Sequence, residues 1–197
     1  MAEGPGRADI HGMFRGLRGL LALAASLALL VAVVPGSALG AGKSSKTAVG
    51  STSATAALDL GVLEQLNQIR TEHGLSQLSL SPSLSAAARA HSQDMLANGF
   101  FAHNSANGAP FWKRIQGFYA EGSFGYWSVG ENLYWSSGST SATEGMKAWM
   151  ASPEHRANIL NPSWRQIGIA AVSSPDAPGT YLNLGVTVIT TDFGVRR

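Results

Sequence analysis

Cysteine is absent from the 197-residue sequence, which excludes disulfides, a thiol nucleophile and thiolate metal ligands. The sequence also lacks a His-Glu-x-x-His helix, a Gly-x-Ser-x-Gly elbow around Ser92, Ser105 or Ser152, and a glycine-rich phosphate loop. An ordinary hydrophobic core must therefore stabilise the fold, and nothing in the sequence indicates covalent catalysis.

Charge of either sign is scarce. Asp, Glu, Lys and Arg make up 13% of the residues, and 14 basic residues against 12 acidic ones leave a net charge of +2. No cluster of Lys and Arg alternates with aromatic residues in the part that follows the N-terminal segment, and no internal repeat is visible. We therefore expect no nucleic-acid partner.

The N-terminal segment has the pattern of a secretory signal peptide. Arginines precede an uncharged run, Leu20–Val34, which Pro35-Gly36 ends, and small residues at Ala38 and Gly40 suit cleavage just before Ala41. The run is shorter than the roughly 20 residues that a spanning helix needs. We predict a signal peptide over residues 1–40, a secreted or cell-surface protein, and no stable membrane span after cleavage; an uncleaved anchor is the alternative, and translation could start at Met1 or Met13.

Residues 41–57 are small and polar without periodicity, which predicts a flexible linker. The remaining residues, 58–195, have the usual length of a single domain.

Periodic apolar residues predict helices in this domain. The first extends from Leu58 to a glycine stop at Gly74, and the second begins at Ser81-Pro82 and ends near Gly99. Pro110 opens a third helix. We expect its apolar residues Phe111, Trp112, Ile115 and Phe118 to pack inward and its polar residues Lys113, Arg114 and Gln116 to face solvent.

A capping box at Ser141–Glu144 predicts a fourth helix, and Ser152-Pro153 begins another turn. Alternating residues predict strands around 129–134, 167–172 and 182–193. The last two strands are apolar or small on both faces, so helices should cover both sides of the sheet. We predict an α+β fold: a three-layer α-β-α sandwich with a short, mostly antiparallel sheet.

Ionisable residues lie among apolar neighbours in two segments, around Glu131 and His155. Burying a carboxylate or an imidazole costs several kcal/mol unless the group is paired or ligated, so we expect a polar cavity there. His91 lies on the buried stripe of the second helix, where a core histidine in a supporting role is expected. Glu154 lies in the first turn of its helix, where the helix dipole already accounts for a negative charge.

Motifs throughout the domain resemble the bacterial branch of the CAP superfamily, the SCP-like extracellular domain of cysteine-rich secretory, antigen-five and pathogenesis-related-one proteins. The motifs are Leu66–Arg70 with His73–Leu75, Ala88–Met95, Phe101–Ser105, Gly130–Leu133, Ala148–Ser152, and His155–Leu160 before Ile167–Ala170.

The resemblance implies the sandwich, secretion, and a central cavity in which two histidines and two acidic residues can hold a divalent metal. By motif, His103, His155 and Glu131 correspond to three of these ligands. Ser152 stands where many members have the second acid, so either the set is incomplete or Glu154 replaces it. The missing cysteines are usual among bacterial members.

Two imidazoles and one carboxylate form the ligand set of a catalytic zinc. They come from separate elements, however, and no general base is obvious beyond Glu154 or His91. We therefore expect weak Zn²⁺ binding at most, and a non-enzymatic extracellular binding module whose ligand is a lipid or a cell-wall component. The alternative is a metal-dependent hydrolase acting on cell-wall or extracellular polymers.

Overall fold

The computed structural model describes the backbone of residues 46–197 and the side chains from Ser53 onwards. The predicted signal peptide therefore lies outside the described residues, as does the beginning of the predicted linker. The helices are α1 (Lys46–Glu72), α2 (Pro82–Asn98), α3 (Phe111–Phe118), α4 (Ala142–Ala151) and α5 (Pro153–Ile159). The strands are β1 (Ser79–Leu80), β2 (Trp127–Ser137), β3 (Gln166–Ala177) and β4 (Leu184–Arg196), with a 3-10 turn at Gly179–Tyr181.

The four strands form one sheet in the order β1-β3-β4-β2. Strand β4 pairs antiparallel with both β2 and β3, and only the two-residue β1 pairs parallel. The predicted α+β class and the mostly antiparallel sheet are confirmed.

Helices cover both faces of the sheet. One apolar cluster joins Val62 and Leu66 of α1 and Trp149 of α4 to one face of the sheet through side chains such as Ile169 and Phe193. The opposite face packs against α2 and α3 in two further clusters. Side chains alternate along a strand, so Glu131 of β2 and Asp192 of β4 lie on the α2–α3 face.

The predicted helix ends are confirmed where their capping residues indicated them. The Ser81 side chain accepts from the amide of Leu84, and Gly99 ends α2 with φ 68°. Ser141 and Glu144 form the reciprocal capping box of α4. Gly99 also has a second reason to be glycine, because a Cβ there would lie 2.9 Å from the backbone of Gly179.

The predicted linker differs from the structure. Its part from Lys46 to Ala57 is helical and forms the beginning of α1. The alanines there favour a helix, although Ala54, Ala56 and Ala57 are exposed and add nothing to the core. In the part of the chain that the structure describes, no helix is long and apolar enough to cross a bilayer.

The predicted orientation of α3 is wrong at three positions. Trp112 and Phe118 are 45% and 46% exposed, whereas the side chain of Arg114 is only 9% exposed and faces the sheet. The charge of Arg114 suggested solvent, but a buried carboxylate opposite the helix provides a stronger reason to turn it inward.

Candidate functional site

The candidate site is built around Glu131, in β2. Its side chain is fully buried. Oε1 accepts a hydrogen bond from Nδ1 of His103 at 2.8 Å, and Oε2 accepts one from Nη2 of Arg114. Charge-assisted hydrogen bonds of this kind offset the desolvation of a buried carboxylate. We call Glu131, His103, Arg114, His91 and Asp192 the Glu131 cluster.

Arg114 links α3 to the loop that carries His103. While Nη2 of Arg114 contacts Glu131, its Nη1 donates to the carbonyl oxygen of His103 at 3.1 Å and to the hydroxyl oxygen of Ser105 at 3.3 Å. One guanidinium therefore holds both the carboxylate and the backbone of its imidazole partner. Arg114 was not predicted as a site residue, although a buried Glu131 requires a cation or several donors.

Asp192 is the second buried acid of the site, and it too was missed. It is paired with Glu131 across β2 and β4 and with Gly168 across β3 and β4. Neither of its carboxyl oxygens accepts a hydrogen bond from the described residues. The available signal was an aspartate in phase with Val186 and Val188, on the same face of a strand with no other charged residue before Arg196.

The two acids share a buried environment that favours a proton between them. Burial first, then the neighbouring Glu131 carboxylate, raises the pKa of Asp192 well above its usual value. Burial raises the pKa of Glu131 to about 7, while the positive charge of Arg114 acts in the opposite direction. A proton on Asp192 leaves the negative charge on Glu131, beside the guanidinium of Arg114.

Gly168 lets α2 approach the sheet beside this pair. A Cβ at Gly168 would lie 2.0 Å from the backbone carbon of Leu84. The glycine therefore brings α2, with His91, close to the acidic pair.

His91 is the fully buried histidine of the cluster. Its Nε2 is 2.9 Å from the carbonyl oxygen of Ala102 and 4.0 Å from Oε1 of Glu131. Burial, assisted by the charge of Arg114, lowers the pKa of His91 to about 4. The ring is therefore neutral at ordinary pH and supports the cluster from its buried side.

His103 is the partly open member of the cluster, with its side chain 31% exposed. Burial and the charge of Arg114 lower its pKa, and Asp192 acts in the opposite direction. His155 lies at the start of α5, where burial and then the charge of His103 lower its pKa. The charge of His103 thus acts on His155, whose side chain is half-buried.

A pair of asparagines fixes α5 against the free edge of β2. Nδ2 of Asn158 donates to the carbonyl of Glu131 and to Oδ1 of Asn132, whose own amide donates to the carbonyl of His155. A Cβ at Gly130 would lie 2.9 Å from the Trp164 ring and 3.0 Å from Oδ1 of Asn158. These contacts give the Gly130–Leu133 and His155–Leu160 segments a structural role.

Ser152 and Glu154 do not join the Glu131 cluster. The Ser152 hydroxyl donates to Oε2 of Glu154 at 3.1 Å, and Glu154 is exposed. Glu154 acts on His155 only through its charge, which raises the pKa of that histidine. The acid beside Glu131 in the sheet is Asp192, which belongs to β4.

The residues present do not fit the predicted three-ligand metal set. Among residues 46–197, no group of three His, Asp or Glu side chains is arranged to hold a metal ion. Both oxygens of Glu131 are already engaged, and Arg114 supplies the positive charge. Any cation there would depend on the histidine rings, and the ring of His103 is oriented by its hydrogen bond to Glu131.

Comparison with known proteins agrees with the fold and the motifs. The family model of the cysteine-rich secretory protein (CAP) family matches residues 63–189. The chain belongs to this family, as its motifs indicated.

Two curated relatives come from Bacillus subtilis. The uncharacterized protein YkwD is 37% identical over 129 residues, which cover 65% of this chain and 48% of YkwD. The uncharacterized membrane protein YlbC is 30% identical over 108 residues, which cover 55% of this chain and 30% of YlbC. The chain thus spans half or less of the length of these relatives.

Solved structures show the same fold. An extracellular protein containing an SCP domain from Bacillus anthracis matches with a TM-score of 0.58 at 22% identity, covering 80% of this chain and 45% of that one. An outer surface protein from Borrelia burgdorferi matches with a TM-score of 0.53 at 20% identity, covering 69% of this chain and 90% of that one.

Proposed function

We propose that this protein is an exported, non-catalytic binding module whose ligand contacts the open side of the Glu131 cluster. The observation that carries the proposal is the engagement of Glu131: its side chain is fully buried and both its oxygens are hydrogen-bonded. A carboxylate in that state cannot act directly on a substrate, because a general base must reach the proton that it abstracts. It can hold His103 in a fixed orientation.

The arrangement of hydroxyl groups supports the same conclusion. In the described residues, no serine, threonine or tyrosine hydroxyl is hydrogen-bonded to the ring of His103 or His155. Nucleophilic catalysis needs such a contact between the nucleophile and its base. The geometry therefore supports recognition better than turnover.

Export is part of the proposal. It is supported by the signal-peptide pattern of residues 1–40 and by two proteins of the same fold that are described as extracellular and outer-surface proteins. Sequencing the N-terminus of the released protein tests it, with Ala41 expected as the first residue. Intact Leu20–Val34 in the membrane fraction would count against cleavage.

The second candidate is a metal-dependent hydrolase acting on cell-wall or extracellular polymers. One observation favours it: a carboxylate bonded to Nδ1 of a histidine is the arrangement that orients Nε2 toward a catalytic zinc. In this candidate His103 and His155 would hold the ion, and the metal would supply a water of lowered pKa.

Glu131→Gln separates the two candidates. The amide keeps the shape but replaces an acceptor by a donor, so a binding module should lose about 1–3 kcal/mol of stability and have no turnover to lose. The experiment measures unfolding by urea together with hydrolysis of peptidoglycan and protein substrates, with and without Zn²⁺. A metal-dependent activity that disappears in Glu131→Gln, with folding unimpaired, would favour the hydrolase.

A further inference from the structure

The tautomer of His103 follows from its partners. Oε1 of Glu131 lies 2.8 Å from Nδ1, and an ionised Glu131, held by Arg114 on its other oxygen, can only accept. Nδ1 of His103 therefore carries the proton in the neutral ring. Nε2 is left with a lone pair, so this atom is a hydrogen-bond acceptor.

Nε2 belongs to the open side of the ring. The Nδ1 side contacts fully buried Glu131, whereas the whole side chain of His103 is 31% exposed. We call the Nε2 side the open edge of His103. It offers an incoming molecule an uncharged acceptor whose orientation is fixed from behind.

An aromatic ring lies beside the ring of His103. The centroid of the Phe111 ring is 6.1 Å from that of His103, with 60° between the planes, and Phe111 is half-buried. An apolar ring next to one fixed polar group is the usual composition of a small-ligand site. The C–H face of a sugar ring fits such a surface, and its hydroxyl and amide groups supply donors.

We propose that the open edge of His103, together with Phe111, binds an uncharged glycan that donates a hydroxyl or amide N–H hydrogen bond to Nε2. The inference rests on the proposed binding function and names its ligand class. An anion would bring acceptors to an atom that is itself an acceptor. A cation would need a carboxylate beside Nε2, but both oxygens of Glu131 are already engaged by His103 and Arg114.

The experiment uses the purified protein, with ¹⁵N-labelled histidine, and the N-acetylglucosamine tetramer as the probe. Without ligand, the ring nitrogens of His103 should show the Nδ1–H tautomer. Addition of the tetramer should shift the Nε2 resonance of His103 saturably. An Nε2–H tautomer, or no shift at His103, would overturn the proposal.

Phe111→Leu and Trp112→Leu form a matched pair for the same titration. Trp112 is the neighbouring residue and is 45% exposed, but only the ring of Phe111 is found against His103. Phe111→Leu should weaken binding roughly three- to tenfold, the range of a lost aromatic contact, and Trp112→Leu should leave it unchanged. The reverse order would contradict the proposed site.

The remaining outcomes separate this inference from the proposed function. Release of shorter oligomers during the titration would overturn the non-catalytic function while keeping the glycan as the ligand class. A His103 response to Zn²⁺ but not to the tetramer would overturn the inference and leave a binding function in place.

Discussion

Glu131 and Asp192 face each other across β2 and β4, with both side chains fully buried and Arg114 hydrogen-bonded to Glu131. Two neighbouring buried carboxyl groups cannot both stay ionised without a large electrostatic cost. The raised pKa of Asp192 therefore favours a pair with one negative charge, which lies beside the guanidinium of Arg114. This balance explains how a strongly polar cluster is accommodated between α2, α3 and the sheet.

Removal of the positive charge of Arg114 should destabilise the folded protein. Arg114→Met leaves Glu131 buried without its strongest partner, and we expect a loss of roughly 3–5 kcal/mol in the free energy of unfolding. Lys113→Met is the control, because Lys113 is the exposed neighbour on the same helix. Urea unfolding measures both variants; equal, small effects would show that Arg114 is not the counter-ion of Glu131.

Replacement of Asp192 by a neutral side chain of the same shape should change the stability of the fold very little. If Asp192 is already protonated, Asp192→Asn keeps a neutral side chain that can donate to Glu131, and stability should stay within about 1 kcal/mol of the original. Asp192→Leu removes the donor and should cost more. Thermal unfolding of the two variants compares them, and a severe loss in Asp192→Asn would mean that Asp192 is ionised.

Asp59 should make stability depend on pH in an unusual direction. Its carboxylate accepts from the amide of Ala171 at 2.6 Å, yet burial raises its pKa from 3.8 to about 6. Between these values the folded protein binds the proton and the unfolded chain does not, so the Asp59 contribution to stability increases as pH falls from about 6 to 4.

The comparison of wild type with Asp59→Asn isolates this contribution. The stability difference between the two should change in favour of wild type as pH falls from about 7 to 4. Denaturant unfolding at several pH values measures it, and a difference that moves the other way would mean that the pKa is lowered in the folded state.

Glycines beside the site should tolerate a methyl group very differently. Gly168→Ala places Cβ against the backbone of Leu84, and Gly130→Ala places it against Trp164, so we expect at least 1–3 kcal/mol of destabilisation at each, roughly the cost of overpacking. Gly117→Ala is the control. A Cβ there meets nothing within 4 Å, and inside α3 it should stabilise by up to about 1 kcal/mol. Thermal melting ranks the variants, and similar melting temperatures for all three would contradict the packing described.

Local patterns were sufficient to predict much of the fold. Ser81-Pro82, Gly99 and the Ser141–Glu144 box act through neighbours a few residues away, so their roles can be read from the sequence. The inward face of α3 could not be read in this way, because Arg114 is turned toward the sheet by Glu131, which lies 17 residues further along the chain.

The candidate site was predictable only in part, for the same reason. His103, Glu131 and His155 were identified by their motifs, and His103 does contact Glu131. Asp192 belongs to no such motif, and only the pairing of β2 with β4 reveals that it faces Glu131. Ser152 occupies the motif position of the second acid and Glu154 was considered as its replacement, but the two hydrogen-bond to each other at the start of α5.

The central claim is that Arg114, and not a metal ion, neutralises the buried carboxylate, so any Zn²⁺ must bind through His103 and His155 alone. Calorimetric titration with Zn²⁺ tests this most directly, comparing wild type with the double variant His103→Ala/His155→Ala. We expect wild-type affinity weaker than about 1 µM, equivalent to less than about 8 kcal/mol, and no binding by the double variant. A nanomolar site that persists in the double variant would contradict the account.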